Sequence, residues 1–489
     1  MTAPSTMSRV QRHTLVYGVG ILAGKFVSFI MLPFYTRYLI PADYGVMQLI
    51  DMTLDIVGIF AGAQIASGVF RFYHKAQNGE DRLSVLSTAS VLLIVSFGVF
   101  ATATGVASVS VSRLVLGSAA YASLVRLAAA SFGVQALVGV PLALLRLEER
   151  SVWYTVVTTS KLLLQLTLNI LFLAVFGLGV KGIFISTLVA NVTMALVVGT
   201  PFFVRTSLRY SRRWARALLR YGVPLAATQI ATFVVTYGDR YFLRVASNVT
   251  EVGLYSLAYQ FGFILSALGF GPFAMMWEPM RFEFAMRPDR DELYARAFVY
   301  MNLLLLTVAL GIGLFVGDFI HVMTAPSYFR AETLVPILLI AYVLQSWAQF
   351  HETGVLIRGR TEFITLINWL SAGAALLGYV LLIPRWHGLG AAIATVAAFA
   401  VRQVATQIAS QHLVPIRYQW RPVWRLVAAA TAVYGVSLLI PRLPIWESIV
   451  LRSMLLCSYA LLVWFAGVIH KDDRERLRDL VGTAMSRLR

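Results

Sequence analysis

The chain has 489 residues, of which 58% are hydrophobic and only 13% are charged, about half the roughly 25% charged share of a soluble protein. So few charged side chains could not cover a soluble fold of this length, which excludes a globular water-soluble protein. The formal net charge of +18 does not indicate a nucleic-acid partner, because the basic residues lie in short loops between apolar segments. There they set membrane topology and meet anionic headgroups.

Fourteen apolar segments are long enough to cross a hydrocarbon core, which takes about 20 residues. In chain order they lie at 13–35, 44–70, 83–107, 123–145, 152–176, 180–204, 221–245, 252–276, 297–320, 333–356, 363–384, 388–412, 423–441 and 447–470. The sequence therefore predicts an all-α integral membrane protein with 14 transmembrane helices, here called spans 1 to 14.

The basic residues of the loops test this count. With the N-terminus inside, the inner loops and tails carry 28 Lys and Arg residues and the outer loops carry 6. A wrong number of spans would destroy this alternation. We therefore expect a multi-pass protein of the inner (cytoplasmic) cell membrane with both termini in the cytoplasm.

Short repeated motifs indicate an internal duplication. Spans 1 and 7 open with Tyr-Gly-Val at Gly18 and Gly222, and spans 2 and 8 carry related turns at Gly45 and Gly253. The offsets are 204 and 208 residues. Six spans per copy is an even number, so the copies share one orientation about an axis along the membrane normal. The predicted organisation is an N-terminal six-helix lobe (1–204), a basic amphipathic cytoplasmic linker (205–220), a C-terminal six-helix lobe (221–412), two extra helices (413–470) and a basic cytoplasmic tail (471–489).

Basic residues inside spans indicate a polar interior, because each costs about 2.5–3.5 kcal/mol at the centre of an isolated helix. Arg244 and Arg452 lie close enough to span ends for their side chains to reach the interface. Four others are predicted to line a cationic cavity that binds substrate: Lys25, Arg126, Lys161 and Arg402.

Acidic residues inside spans are the candidates for ion coupling or gating. Asp51 and Asp55 are four residues apart on one face of span 2. They either hold an ion pair with Lys25 or form a proton or sodium site. Asp239 and Arg240 are adjacent in span 7; they belong to the same candidate set, although local pairing is favoured over ion binding.

Sequence motifs that would indicate an enzyme are weak in this chain. Asp289-Arg290-Asp291 has the spacing of a sugar-nucleotide metal motif, but it lies in a short inner loop and is interpreted as a solvated charge run. Cys457 is the only cysteine and no histidine pair has ligand spacing. We expect no catalytic group, no metal and no other cofactor. The basic linker and tail are predicted to contact anionic lipids of the inner leaflet, with docking of a cytoplasmic protein as the alternative.

Two longer segments resemble a known family. They are PFYTRYLIPADYGVMQLID (Pro33–Asp51), followed by GIFAGAQIASGVFRFY (Gly58–Tyr73), and YGDRYFLRVASNVTEVGLYSLAYQF (Tyr237–Phe261). They resemble the polysaccharide-exporter branch of the multidrug/oligosaccharidyl-lipid/polysaccharide (MOP) flippase superfamily, with its RYL-x-P-x-x-YG turn, Asp-Arg-x-x-Leu segment and Val-Gly-x-Tyr turn. The C-terminal third carries no such motif.

The resemblance implies two six-helix lobes around a central cavity that opens alternately to each side. It implies an anionic substrate, a polyprenyl-diphosphate-linked oligosaccharide moved from the inner to the outer leaflet, with polysaccharide assembly proteins as further partners. In lipid II flippase relatives, the extra helices form part of a lipid groove.

Two alternatives stay open. A cation-coupled multidrug exporter of the same superfamily predicts an acidic, aromatic-lined cavity. A membrane glycosyltransferase or polysaccharide polymerase predicts a sizeable soluble domain or long outer loop, and no outer loop here exceeds roughly 20 residues.

Overall fold

The computed structural model describes residues 31–76, 78–441 and 443–468, and every regular element within them is helical. The described part of span 1 is helix α1 (31–38). The next nine spans are helices α2 to α10: Pro41–Lys75, Gly79–Val106, Ala119–Leu147, Ser151–Val175, Gly179–Thr206, Arg212–Ala246, Val249–Phe284, Arg290–Met323 and Pro326–Ile357. The last four are α11 (362–386), α12 (388–413), α13 (Trp420–Leu438) and α14 (Ile445–Phe465). A short additional helix, Ser108–Leu116, follows α3.

Helices α11 and α12, which together cover Glu362–Leu413, form an antiparallel hairpin. Fifty-two residues of one helix would extend about 78 Å, more than twice the hydrocarbon thickness. The break is at His387, whose φ of 47° and ψ of −124° are not helical. Gly378 packs on Ala394, and Gly390 packs on the carbonyl of Leu382. In each pair the midpoint of the two residue numbers is 386, as expected if the chain reverses direction at that point. The predicted spans 11 and 12 are therefore confirmed.

The fold class is therefore confirmed as a multi-pass all-α membrane protein. Among the described residues, eleven helices are long and apolar enough to cross a membrane, with Glu362–Leu413 counted as one. The hairpin adds a twelfth. Helix α1, described only in part, and α13, the shortest predicted span, complete the fourteen. Within residues 31–76, 78–441 and 443–468, no membrane-crossing helix is found that the sequence did not predict.

The chain divides into two compact units. Unit 1 comprises Met1–Ser256, Met323–Tyr328 and Ser371–Ala394, and unit 2 comprises Leu257–Val322, Phe329–Leu370 and Thr395–Arg489. The division into lobes at 204 and 221 stays a prediction.

In unit 1, an apolar core joins α2, α3, α4, α6 and α7. Its buried members include Val69, Leu86, Val140, Phe202 and Leu218.

The basic stretch before span 7 is largely part of α7, which begins at Arg212. Its apolar face packs against protein: Trp214 contacts Ala76 and Val85, and Leu218 lies in the core just described. Because protein already covers the apolar face of this segment, that face does not insert into a lipid surface. The predicted basic tail at 471–489 lies outside the described residues.

In unit 2, aromatic side chains cluster at the end predicted to face the cytoplasm. Phe298 contacts Trp347 and Trp420, which joins the start of α13 to α9 and α10. The Trp347 indole N–H donates to Asn302 Oδ1 at 2.6 Å. The Gln403 amide donates to His351 Nδ1 at 2.9 Å, and His351 is fully buried. The Trp347 indole N–H and the Gln403 amide therefore have partners inside a tightly packed region.

Candidate functional site

Polar side chains of unit 1 lie on α1, α2, α5 and α7, and several of them are within hydrogen-bond or electrostatic range of one another. We call them the polar wall: Tyr35, Asp51, Asp55, Lys161, Gln165, Asn169, Tyr237 and Tyr241.

On α2, the Asp51 and Asp55 side chains are both accessible. Asp51 lies within electrostatic range of the Tyr35 hydroxyl, and Asp55 within range of Tyr237 and Tyr241. The two carboxylates of α2 therefore lie near hydroxyl groups of α1 and α7.

Neighbouring hydrogen bonds fix the tyrosines of the wall. The Tyr241 hydroxyl is 3.0 Å from the Thr53 hydroxyl, and the Asn169 amide donates to the Tyr35 hydroxyl at 2.7 Å. Accessible carboxylates among hydroxyl groups can hold a proton or a sodium ion. Among the described residues, no three His, Cys, Asp or Glu side chains are grouped to hold a metal ion.

Helix α5 adds a polar stripe to the wall. Lys161, Gln165 and Asn169 follow at intervals of four residues and so share one face. Gln165 is fixed by its amide, which donates to the Thr187 hydroxyl at 3.0 Å. Lys161 is half-buried and has no hydrogen-bond or ion-pair partner in the described part of the chain. Its ammonium group is therefore available to an anionic ligand.

The other predicted cavity cations differ from Lys161. Lys25 lies outside the described residues. Arg126 is exposed, and its described hydrogen bond goes to the Ala122 carbonyl of its own helix, at 3.4 Å. Arg402 is in unit 2, where it donates to Glu352 at 3.0 Å. Its charge is already balanced by a carboxylate that sequence reasoning did not pair with it.

Asp239 and Arg240 form a closed local pair, with exposed fractions of 0% and 1%. Arg240 donates to Asp239 Oδ1 at 2.7 Å and to the Thr236 carbonyl at 2.6 Å. The Tyr255 hydroxyl donates to the other Asp239 oxygen at 2.6 Å. This geometry favours the structural interpretation, because both charges are balanced and hidden from solvent.

Two arginines expected to reach the interface instead contact protein. Arg244 donates to the carbonyls of Val115, at 2.7 Å, and Leu114, and so satisfies the end of the short helix Ser108–Leu116. Arg452 forms an ion pair with Asp318 at 3.1 Å, which attaches α14 to α9. Their position at the interface stays a prediction, while these protein partners were not predicted. A lone acid in an apolar span, as at Asp318, is the sequence signal that could have indicated a partner.

The repeated turns of spans 2 and 8 touch each other. A Cβ added at Gly45 would overlap the Val249 carbonyl oxygen, and a Cβ added at Gly253 would overlap that of Pro41. Val249 and Pro41 are separated by the same 208 residues as the two glycines, so the contact is reciprocal. We call it the outer glycine contact, since the predicted topology places both turns outside.

A tyrosine supports this contact. The Tyr328 hydroxyl donates to the Leu39 carbonyl at 3.1 Å, and its ring lies edge-on to Tyr44 with centroids 6.4 Å apart. Tyr328 is fully buried. Helices α2 and α8 and the start of α10 are therefore joined at the side predicted to be outside.

Solved structures of known proteins share this fold. The lipid II flippase MurJ, in an inward closed conformation, superposes with a TM-score of 0.71 at 11% identity, over 93% of this chain and all of that one. An inward-facing multidrug resistance MATE family transporter of the MOP superfamily gives 0.57 at 16% identity, over 79% and 94%. A Vibrio cholerae MATE transporter gives 0.57 at 15%, over 83% and 96%. At these identities the likeness concerns the fold alone.

Sequence comparison identifies the family. An uncharacterized membrane protein of Methanocaldococcus jannaschii is 25% identical over 226 residues, which are 43% of this chain and 44% of that protein. The match thus spans less than half of that relative's length. The family model described as "Polysaccharide biosynthesis protein" matches residues 10–284, more than half of the chain. The chain therefore belongs to the polysaccharide biosynthesis protein family.

Proposed function

We propose that the protein is a flippase, and not an enzyme, that moves a polyprenyl-diphosphate-linked oligosaccharide from the inner to the outer leaflet of the cytoplasmic membrane. One observation carries this proposal: a chain of a polysaccharide biosynthesis family shares its fold with a lipid II flippase over that protein's whole length. The pathway it would serve is cell-surface or exopolysaccharide biosynthesis. Both termini are proposed to lie in the cytoplasm, as the loop charges predict.

A diphosphate group needs cations in the cavity, and Lys161 is the residue that the geometry supports best. It lies on the polar wall beside hydrogen-bonding amides, and its charge is unmatched among the described residues. Lys25, Arg126 and Arg402 complete the proposed cationic set. Arg402 is its weakest member, because binding an anion there would compete with Glu352.

Asp51 and Asp55 are proposed to couple the cycle to a cation or to set a gate. Their accessibility and the surrounding tyrosine hydroxyls support this role, since a bound ion needs an entry path and several oxygen atoms. Asp239 and Arg240 stay in the proposal only as a fixed element of the gate, because their pairing leaves no open position for an ion.

Alternating access requires an outer gate that can separate. We propose that the outer glycine contact is this gate in its closed state. The two backbones meet without side chains between them, so they can separate without pulling interlocked side chains apart. The Tyr328 hydrogen bond contributes only about 1 kcal/mol to the stability of the closed state.

The test is translocation in proteoliposomes that contain the purified protein and a polyprenyl-diphosphate-linked oligosaccharide. A membrane-impermeant glycosidase reports which leaflet holds the sugar. Lys161→Ala should slow translocation roughly 10- to 100-fold, since a hydrogen bond to a charged group contributes about 1.5–3 kcal/mol. Lys181→Ala, in the exposed first turn of α6, is the matched control. A wild-type protein that leaves the sugar in its original leaflet would refute the proposal.

A cation-coupled multidrug exporter is the second candidate. Asp51 near Tyr35, and Asp55 near Tyr237 and Tyr241, provide acidic and aromatic groups of the kind that this function predicts. Against it, the MATE structures cover less of this chain than MurJ does. Export of a cationic dye from cells, abolished by Asp55→Asn, would favour this candidate over the flippase.

A further inference from the structure

A pocket of about 630 Å³ opens in unit 1 on the side predicted to face the cytoplasm. It lies between the start of α3 and the ends of α2, α4 and α6. Its lining includes Tyr73, Arg82, Leu86, Leu144, Glu148 and Arg205. The predicted topology places these helix ends at the depth of the inner-leaflet headgroups. We call it the inner pocket.

The lining is apolar below and charged at the rim. Leu86 and Leu144 belong to the buried core of unit 1 and form the floor. At the rim, the Arg82 guanidinium lies 5.5 Å from the centre of the Tyr73 ring, and Arg205 lies 3.5 Å from Glu148. Two carboxylates, Glu80 and Glu148, also line the pocket. An apolar floor below two guanidinium groups and two carboxylates matches a molecule that has a hydrophobic part, a phosphate and hydroxyl groups.

The wall that carries Arg205 is held in place. The Ser87 hydroxyl lies 2.7 Å from the Ser207 carbonyl oxygen and 2.8 Å from that of Arg209. The Thr88 hydroxyl accepts from the Ser211 amide at 3.1 Å. Ser87 and Thr88 are both fully buried. Because these bonds fix the chain after α6 against α3, the pocket is preformed and is not a gap beside a loose connection.

The surrounding charge selects an anion. The inner ends of unit 1 between residues 71 and 220 carry eleven basic residues: Arg71, Lys75, Arg82, Arg146, Arg150, Arg205, Arg209, Arg212, Arg213, Arg216 and Arg220. The same ends carry four acids: Glu80, Asp81, Glu148 and Glu149. This excess attracts anionic lipids in general, whereas the pocket offers one place where a headgroup is enclosed.

We propose that the inner pocket binds the phosphodiester headgroup of one inner-leaflet phospholipid that also carries hydroxyl groups, such as phosphatidylglycerol. Arg82 and Arg205 contact the phosphate. The 3.5 Å pair of Arg205 with Glu148 is weak because Arg205 is 63% exposed, so the phosphate replaces it, and Glu148 accepts hydrogen bonds from the headgroup hydroxyls. Binding joins α3 to the chain segment that leads into α7, which stabilises the inner end of unit 1. This site is independent of the proposed flippase activity and differs from diffuse attraction by the basic stretch.

The test uses the purified full chain in nanodiscs of phosphatidylcholine with increasing phosphatidylglycerol. Native mass spectrometry counts retained lipid, and thermal unfolding measures stabilisation. The wild-type protein should retain one phosphatidylglycerol and saturate. Arg82→Gln with Arg205→Gln should weaken retention at least tenfold. The control is Arg209→Gln with Arg216→Gln, which removes two exposed charges from the same region but outside the pocket.

Three results would overturn the proposal: equal loss of lipid in both double variants, no saturation in the wild type, or equal stabilisation by inorganic phosphate. The first two indicate diffuse attraction, and the third a site for free phosphate. Arg205 is 63% exposed, so Arg205→Gln alone should fold and show a partial loss if the double variant does not accumulate. Arg82→Lys with Arg205→Lys should retain the lipid, because both charges remain.

Discussion

Alanine at Gly45 should open the outer side of the molecule. The new Cβ would overlap the backbone oxygen of Val249, which belongs to a helix and cannot rotate away. A carbon and a carbonyl oxygen normally approach no closer than about 3.3 Å, so α2 and α8 must separate by about 1 Å or more at this point. Overpacking of this kind costs about 1–3 kcal/mol. Since the open state does not contain the contact, the ratio of open to closed molecules should rise roughly 5- to 150-fold.

Thiol labelling from outside measures this ratio. Gln48→Cys, three residues inward of Gly45, serves as the probe after the native thiol is removed by Cys457→Ser. A membrane-impermeant maleimide is added to intact cells, and its rate is normalised to labelling in detergent. Gly45→Ala should raise the rate within the stated range. Gly98→Ala should not, because a Cβ there meets nothing within 4 Å.

The reciprocity of the contact provides a stricter criterion. Gly253→Ala should raise the labelling rate nearly as much as Gly45→Ala does. The double variant should raise it by less than the product of the two single increases. The reason is that one separation relieves both overlaps. Equal labelling of Gly45→Ala and Gly98→Ala, with equal amounts of protein in the membrane, would refute the assignment of this contact as the outer gate.

Two further predictions concern ion pairs, one fully buried and one half-buried. Asp239→Asn should destabilise the protein by about 3–5 kcal/mol, because it leaves the Arg240 charge buried without its counter-ion. Thermal unfolding in detergent measures the loss. As the control, Asp289→Asn removes an exposed carboxylate and should leave the unfolding midpoint unchanged. Arg452→Met should weaken the attachment of α14 and increase proteolysis near its ends. Adding Asp318→Leu should restore most of the resistance to proteolysis, because no unpaired charge then remains. A double variant cleaved as fast as Arg452→Met would contradict this account.

The helices were predictable because hydropathy and loop charge can be read from short stretches of sequence, without knowledge of tertiary contacts. The hairpin of α11 and α12 follows from the length of the apolar runs and the Pro384 region between them. The helix ends were less accurate. Helix α7 begins at Arg212 and not at 221, because a helix continues through polar residues once it leaves the hydrocarbon, and hydropathy does not register this.

The candidate site was predictable only where partners are neighbours in sequence. Adjacent residues such as Asp239 and Arg240 suggest their own pairing. Glu352 and Arg402 are 50 residues apart, and nothing local to either indicates the other. Tyr35 and Asn169 likewise resemble ordinary polar residues of apolar helices until tertiary packing brings them together. The turns at Gly45 and Gly253 suggested a duplication, but not that the copies meet there.

The reciprocal glycine contact also bears on the origin of the chain. A contact in which each copy presents the same surface to the other is the arrangement found in two-fold symmetric homodimers. A six-span ancestor with both termini on one side could have made it with a second copy of itself, before fusion joined the two through the basic linker. Under this duplication hypothesis, the two glycines of the fused chain could change separately, yet a carbonyl from the other repeat restricts the space at each of them. Both repeats would then keep this one constraint while the rest of their sequences diverged.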